Sequence, residues 1–137
     1  MTKPKVLISD KMDPNAAAIF RERGCEVDEI TALTPDELKK IIGQYDGLAI
    51  RSSTKVTKDI LEACDNLKVI GRAGIGVDNV DIPAASSKGV VVMNTPFGNS
   101  ITTAEHAIAL MFALARQIPE ANAQTQQGLW PKNGFMG

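Results

Sequence analysis

Up to Asn94, short apolar runs rich in β-forming residues alternate with segments of helical periodicity, the pattern of successive strand, helix and strand units. Val6–Asp10 reads as a first strand. Asp13 then precedes Pro14, a side-chain cap followed by proline in the first turn, and Ala16–Arg23 continues as a helix up to Gly24. Glu26–Ile30 is a second strand. Thr34, Pro35 and Glu37 have the spacing of a capping box, which predicts a helix over Asp36–Ile42 that stops at Gly43. Gly47–Ile50 is a short buried strand ending on Arg51, and Leu67–Arg72 is a fourth strand that again closes on arginine. Between and after these lie helices at Lys58–Ala63 and Asp81–Ser87, and a fifth strand at Val90–Asn94.

Parallel strands joined by helical crossovers are apolar on both faces and need helices on both. The expected fold class is therefore α/β, a flavodoxin-like doubly wound parallel sheet with strand order 2-1-3-4-5, over residues 1–98. Beyond it the pattern changes. Thr102 and Glu105 have capping-box spacing, and Ala104, Ala107, Ile108, Leu110, Met111, Ala113 and Leu114 surround most of a helix running from Thr102 to Ala115. A helix so apolar all round needs cover from a second subunit or a further domain. Residues 99–137 are therefore read as a long helix with a Gly- and Pro-containing tail that carries Trp130 and Lys132.

Composition narrows the classes without choosing one. The 137 residues suit a single ordinary domain, with 44% hydrophobic and 23% charged residues. A net charge of -1 gives no global positive field to hold nucleic acid or an anionic membrane. The apolar run Ala107–Ala115 is far shorter than the roughly 20 residues of a membrane span, and the N-terminus lacks a signal-type apolar region, so a cytoplasmic protein is expected. Cys25 and Cys64 lack a metal-type spacing and read as buried packing groups; with one histidine, no metal site is expected.

In open α/β sheets the ligand crevice lies beyond the carboxyl ends of the strands. Those ends carry Asp10-Lys11, Arg51-Ser52-Ser53, Arg72-Ala73-Gly74-Ile75-Gly76 and Asn94-Thr95-Pro96. Two guanidinium forks there suit a small dianion, unless each pairs with a surface carboxylate instead. Gly74-Ile75-Gly76 imitates a dinucleotide fingerprint, but Asn79 stands in place of the third glycine and no acid ends the next strand. Its backbone N–H groups can still cradle an oxyanion. His106, within the apolar helix, reads as a packing or capping residue rather than a catalytic base. A phosphoacceptor receiver domain would share this strand order, but it needs an aspartate where Arg51 follows the third strand. A stand-alone domain binding phosphorylated metabolites stays open as the alternative.

The strings Ala49-Ile50-Arg51-Ser52-Ser53-Thr54-Lys55-Val56-Thr57, Gly71 through Asp81, and Asn94-Thr95-Pro96 through Thr103-Ala104-Glu105-His106, in this order and spacing, resemble the D-isomer-specific 2-hydroxyacid dehydrogenases. That resemblance implies an NAD-dependent oxidoreductase built of two doubly wound domains, with this chain supplying the substrate domain and stopping where the nucleotide domain would begin. It implies that Arg51, Ser52, Arg72 and Gly74 face a small phosphorylated 2-hydroxy acid, whose carboxylate the backbone of Ile75 and Gly76 would hold. Ile75 and Thr103 would lie near the cofactor. The Thr102–Ala115 helix would join a homo-oligomer, and Trp130 and Lys132 would approach the partner subunit's site. The family's nucleotide fingerprint and catalytic set have no matching positions, so no hydride transfer by this chain alone is expected.

Overall fold

Five strands form one parallel sheet: β1 (Lys5–Ile8), β2 (Glu26–Glu29), β3 (Gly47–Ile50), β4 (Val69–Arg72) and β5 (Val91–Met93), in the order β2-β1-β3-β4-β5. The structure, a computed structural model, describes residues 2–136 and divides into two compact units, Met1–Gly98 and Asn99–Gly137. In the first unit the strands are linked by α1 (Pro14–Glu22), α2 (Pro35–Ile41), α3 (Lys58–Glu62) and α4 (Ile82–Ser87). The expected strand order is the observed one. It places β3 at the centre, buried at all four positions.

Period-two alternation divides the core between the two sheet faces. Leu7, Leu48, Ile50 and Ile70 pack with Leu38, Ile60, Leu61 and Ala85, so α2, α3 and α4 share one face. Ile8 and Ala49 pack with Ala17 of α1, beside Met12, Phe20 and Val27, on the other. That second face keeps an apolar cavity of about 480 Å³, lined by Val6, Gly47, Ala49, Val69, Gly71 and Met93 among others.

Local signals act where they were read. Asp13 accepts from the Asn15 amide at 2.9 Å, and Thr34 and Glu37 complete the capping box, with the Thr34 amide donating to Glu37 Oε2 at 2.8 Å. That backbone bond holds the exposed Glu37 carboxyl below its usual range. β3 has the expected bounds, while β2, β4 and β5 are shorter than expected and β1 runs from Lys5 to Ile8 rather than from Val6 to Asp10. Val90 is tied back to the end of α4 by its amide, 2.9 Å from the Ala85 carbonyl, and Asn94 lies beyond β5. Cys25 departs from its expected burial: it is half-buried, because it follows the left-handed Gly24 (φ 86°) and leads into the edge strand β2. Cys64 is buried as expected, and burial pushes its thiol up from the ordinary range.

Tyr45, 3% exposed, donates its hydroxyl to Asp28 Oδ2 at 2.8 Å, and Lys5 Nζ lies 3.0 Å from the same oxygen. Lys5, with Tyr45, keeps the Asp28 carboxyl below its usual range. Burial and then Asp28 push the Tyr45 phenol from 10.0 up to about 12. The fold thus favours the protonated phenol: this contribution to stability is complete below pH 10 and is lost as pH rises to about 12. Tyr45 is the chain's single tyrosine, so absorbance of the tyrosinate reads it alone. An alkaline titration is expected to centre near 12; a midpoint at 10.0 would show that the phenol is neither buried nor held on Asp28.

The second unit contains α5 (Ser100–Ala115), α6 (Ile118–Gln126) and a 3-10 turn at Lys132–Phe135. The helix predicted from Thr102 begins two residues earlier, after Asn99, and no side chain caps it. The Thr103 amide already bonds to the Asn99 carbonyl at 2.9 Å, so Thr102 and Glu105 sit inside a running helix and their spacing forms no capping box. Ile101, Ile108, Leu110, Met111, Phe112 and Leu114 on α5 are all exposed. Among the described residues, no helix is long and apolar enough to cross a membrane.

Candidate functional site

Because the five strands are parallel, their carboxyl ends lie on one side of the sheet, where the turns after β1, β3, β4 and β5 carry the candidate residues. The register pairs Ile50 with Arg72, which sets the turn that starts at Arg51 beside the turn that starts at Arg72. Under the first lie Ser9 and Asp10, the buried polar residues at the end of β1. Asp10 Oδ2 accepts from the Arg51 amide at 2.6 Å and the Thr54 amide at 3.1 Å, while Oδ1 accepts from Thr54 Oγ1 at 2.8 Å. Ser9 Oγ is 2.9 Å from the same hydroxyl. From the other side Asn79 Nδ2 donates to the carbonyls of Arg51, at 2.8 Å, and Thr54, at 2.6 Å.

This bracing leaves the tip of the turn outward. Arg51, Ser52 and Ser53 are exposed, and among the described residues the Ser52 and Ser53 amides donate to no protein acceptor. The Arg51 guanidinium makes one long contact, 3.5 Å to the Lys11 carbonyl.

Arg72 is disposed differently. Its side chain is 11% exposed, and Nη1 lies 3.0 Å from Oδ1 of the exposed Asp78. The expected alternative of an arginine paired with a surface carboxylate is thus realised at this position. Its buried Nε has no hydrogen-bond partner among the described residues. The guanidinium lies along the Gly74–Gly76 turn: a Cβ on Gly76 would fall 2.8 Å from both Arg72 Nη1 and Asp78 Oδ1. Gly76 is therefore glycine because the ion pair occupies the space a side chain would need. Thr95 N donates to the Gly74 carbonyl at 2.9 Å and Asn94 Nδ2 to the Ile75 carbonyl at 2.7 Å. Those bonds fasten the turn to the end of β5, and the Ile75 and Gly76 amides donate to no acceptor among the described residues.

The same crowding tests the turn as a dinucleotide cradle, and NAD does not fit it. The space beside Gly76 holds Arg72 rather than open room for a pyrophosphate, Asn79 is committed to the Arg51 turn, and α4 has only six residues. Ile75 is exposed at 41% on this turn, and Thr103 is exposed on α5 in the second unit. His106 is exposed on α5. In the second unit Trp130 and Lys132 line a cavity of about 200 Å³ with Ala121, Thr125, Pro131 and Phe135. Among the described residues, no group of three or more His, Cys, Asp or Glu side chains could hold a metal ion.

Sequence reasoning missed Thr54, Asn79 and Asp78 as members of this site. The bonds of Thr54 and Asn79 run to residues 44 and 25 to 28 positions away, which no local spacing announces, whereas Asp78 meets Arg72 only six residues off.

Comparison with known proteins gives a consistent set of likenesses. The family described as "D-isomer specific 2-hydroxyacid dehydrogenase, catalytic domain" matches residues 6–129. D-3-phosphoglycerate dehydrogenase of Archaeoglobus fulgidus is 47% identical over 133 residues, which are 97% of this chain and 25% of that protein. The Homo sapiens D-3-phosphoglycerate dehydrogenase is 48% identical over the same shares. The chain thus spans about a quarter of the length of these curated relatives. Among solved structures, NAD+-bound 3-phosphoglycerate dehydrogenase of Entamoeba histolytica superposes with a TM-score of 0.73 at 32% identity, covering 82% of this chain and 39% of that one. A Thermus thermophilus protein superposes with a TM-score of 0.81 at 33% identity, covering 93% and 43%.

Proposed function

Because the chain belongs to the D-isomer specific 2-hydroxyacid dehydrogenases, we propose that its Met1–Gly98 unit is the substrate-binding part of an NAD-dependent D-3-phosphoglycerate dehydrogenase of serine biosynthesis. One observation carries this reading: the Arg51 and Arg72 turns stand on adjacent parallel strands, and both present N–H groups with no protein acceptor. A small dianion with a carboxylate and a phosphoryl group matches two such turns, since guanidinium forks and free amides both favour anionic oxygens. Arg51, Ser52 and the Ser53 amide would take one anionic end. Arg72 with the Ile75 and Gly76 amides would take the other, while the Gly74 amide, 3.0 Å from the Arg72 carbonyl, shapes the turn.

NAD enters as the cofactor of the whole protein. Residues 2–136 contribute at most peripheral contacts, from Ile75 and Thr103, and the hydride chemistry belongs to residues that this chain does not match. The exposed apolar residues of α5 support a homo-oligomer contact, with Trp130 and Lys132 near a partner subunit's site.

Calorimetric titration of the chain with 3-phosphoglycerate is expected to give one site per chain whose affinity falls with added salt, and Arg51→Ala should weaken it about tenfold, the loss of one charge-assisted contact. Equal, weak heats from 3-phosphoglycerate and sulfate would overturn the substrate assignment. Sedimentation of the same sample as a monomer at tens of micromolar would overturn the α5 contact.

A further inference from the structure

Among the described residues Asp10 is the one buried carboxylate, 5% exposed, and no lysine or arginine side-chain nitrogen lies within 4.0 Å of its carboxylate. Burying a charge without a counter-ion is costly unless hydrogen-bond donors replace the lost water. Here three donors do so, and all belong to one turn: the Arg51 amide, the Thr54 amide and the Thr54 hydroxyl. The turn itself has no regular hydrogen-bonded structure between β3 and Val56, so its own backbone does not define its shape.

The choice of partner matters as much as their number. Asp10 takes the backbone N–H of Arg51 and leaves its guanidinium without a carboxylate partner among the described residues. A carboxylate paired with that guanidinium would neutralise the charge the site needs. Asn79 complements this from the opposite side by occupying the carbonyls of the same two residues. Two side chains therefore satisfy the N–H and C=O groups at both ends of the turn, and only its tip, Ser52 and Ser53, is left unpaired.

We propose that Asp10, with Asn79 as its counterpart, is a positioning residue: it fixes the Arg51–Thr54 turn so that the Arg51 guanidinium and the Ser52 and Ser53 amides are preset for an anion. The inference rests on the proposed role of that turn in holding substrate. Preorganised donors need no ordering when the ligand arrives, so loosening them costs affinity even though Asp10 touches no ligand.

In the full chain, Asp10→Ala is expected to weaken 3-phosphoglycerate binding about tenfold. Deuterium exchange at the Arg51 and Thr54 amides should quicken by a similar factor, while the Leu48 amide within β3 is unchanged. Asp10→Asn keeps the shape and one acceptor oxygen for the two amides, and is expected to restore most of both effects. Should the alanine variant fail to fold, the asparagine variant carries the test, with about threefold changes at the same two amides and in affinity. Variants that bind as tightly as the parent chain, or whose two loop amides exchange no faster, overturn the positioning role and leave the anion site intact. A parent chain that binds no 3-phosphoglycerate overturns the site reading, and this inference with it.

Discussion

Leu61→Ala should lower the stability of the Met1–Gly98 unit by about 3–5 kcal/mol, the upper part of the range for a leucine removed from a packed core. Leu61 has no exposed surface and packs in the cluster that joins α2, α3 and α4 to the sheet. Its helix, α3, has only five residues and no side-chain cap, too short to persist without tertiary contacts. The backbone at this position is also a hub. The Leu61 carbonyl accepts from Cys64 Sγ at 3.1 Å and from Lys88 Nζ at 2.8 Å, which fastens the end of α3 to the end of α4. A cavity here cannot close easily, because both neighbours are held by those bonds. Urea unfolding followed by circular dichroism should show a lower midpoint with an unchanged slope. Ile19→Ala, at 55% exposure on α1, is the control and should stay within about 0.5 kcal/mol of the parent.

That contrast between a buried and an exposed apolar residue follows from the pattern along the chain. The strand order, both arginine-bearing strand ends and the Thr34 cap were legible because each depends on spacing within a few residues or on the common direction of parallel strands. Thr102 and Glu105 show the limit of such spacing: the same residues inside a helix have the same separation, and only the Thr103 amide bond to Asn99 reveals that the helix had already begun. Asn79 shows a second limit. Read locally, it breaks a glycine fingerprint; in the fold its amide group braces a turn more than twenty residues earlier. Asp10 was visible as a strand-end acid, yet its burial and its three donors arise from the packing of β1 against β3. The half-exposed Cys25 follows from β2 being an edge strand, which composition does not report.

Arg72 is where the proposed anion site should respond most strongly. Arg72→Ala is expected to weaken 3-phosphoglycerate binding about 100-fold, the loss of two charge-assisted hydrogen bonds at roughly 1.5 kcal/mol each. The side chain is nearly enclosed, so an anion that reaches the exposed part of its guanidinium meets a donor largely stripped of water. Asp78 works against that ligand. Its carboxylate, 85% exposed, holds Arg72 Nη1 at 3.0 Å, and a substrate oxygen using that nitrogen must displace it. An exposed ion pair of this kind is worth about 1 kcal/mol or less. Asp78→Asn should therefore tighten binding by about two- to fivefold at low salt, with the gain fading as salt rises. The two substitutions separate competition from support. Should Asp78→Asn weaken binding tenfold, Asp78 would be the residue that aims Arg72 at the ligand. A calorimetric titration with Arg72→Ala that matches the parent chain would remove Arg72 from the site altogether, leaving its ion pair as a clasp on the Gly74–Gly76 turn.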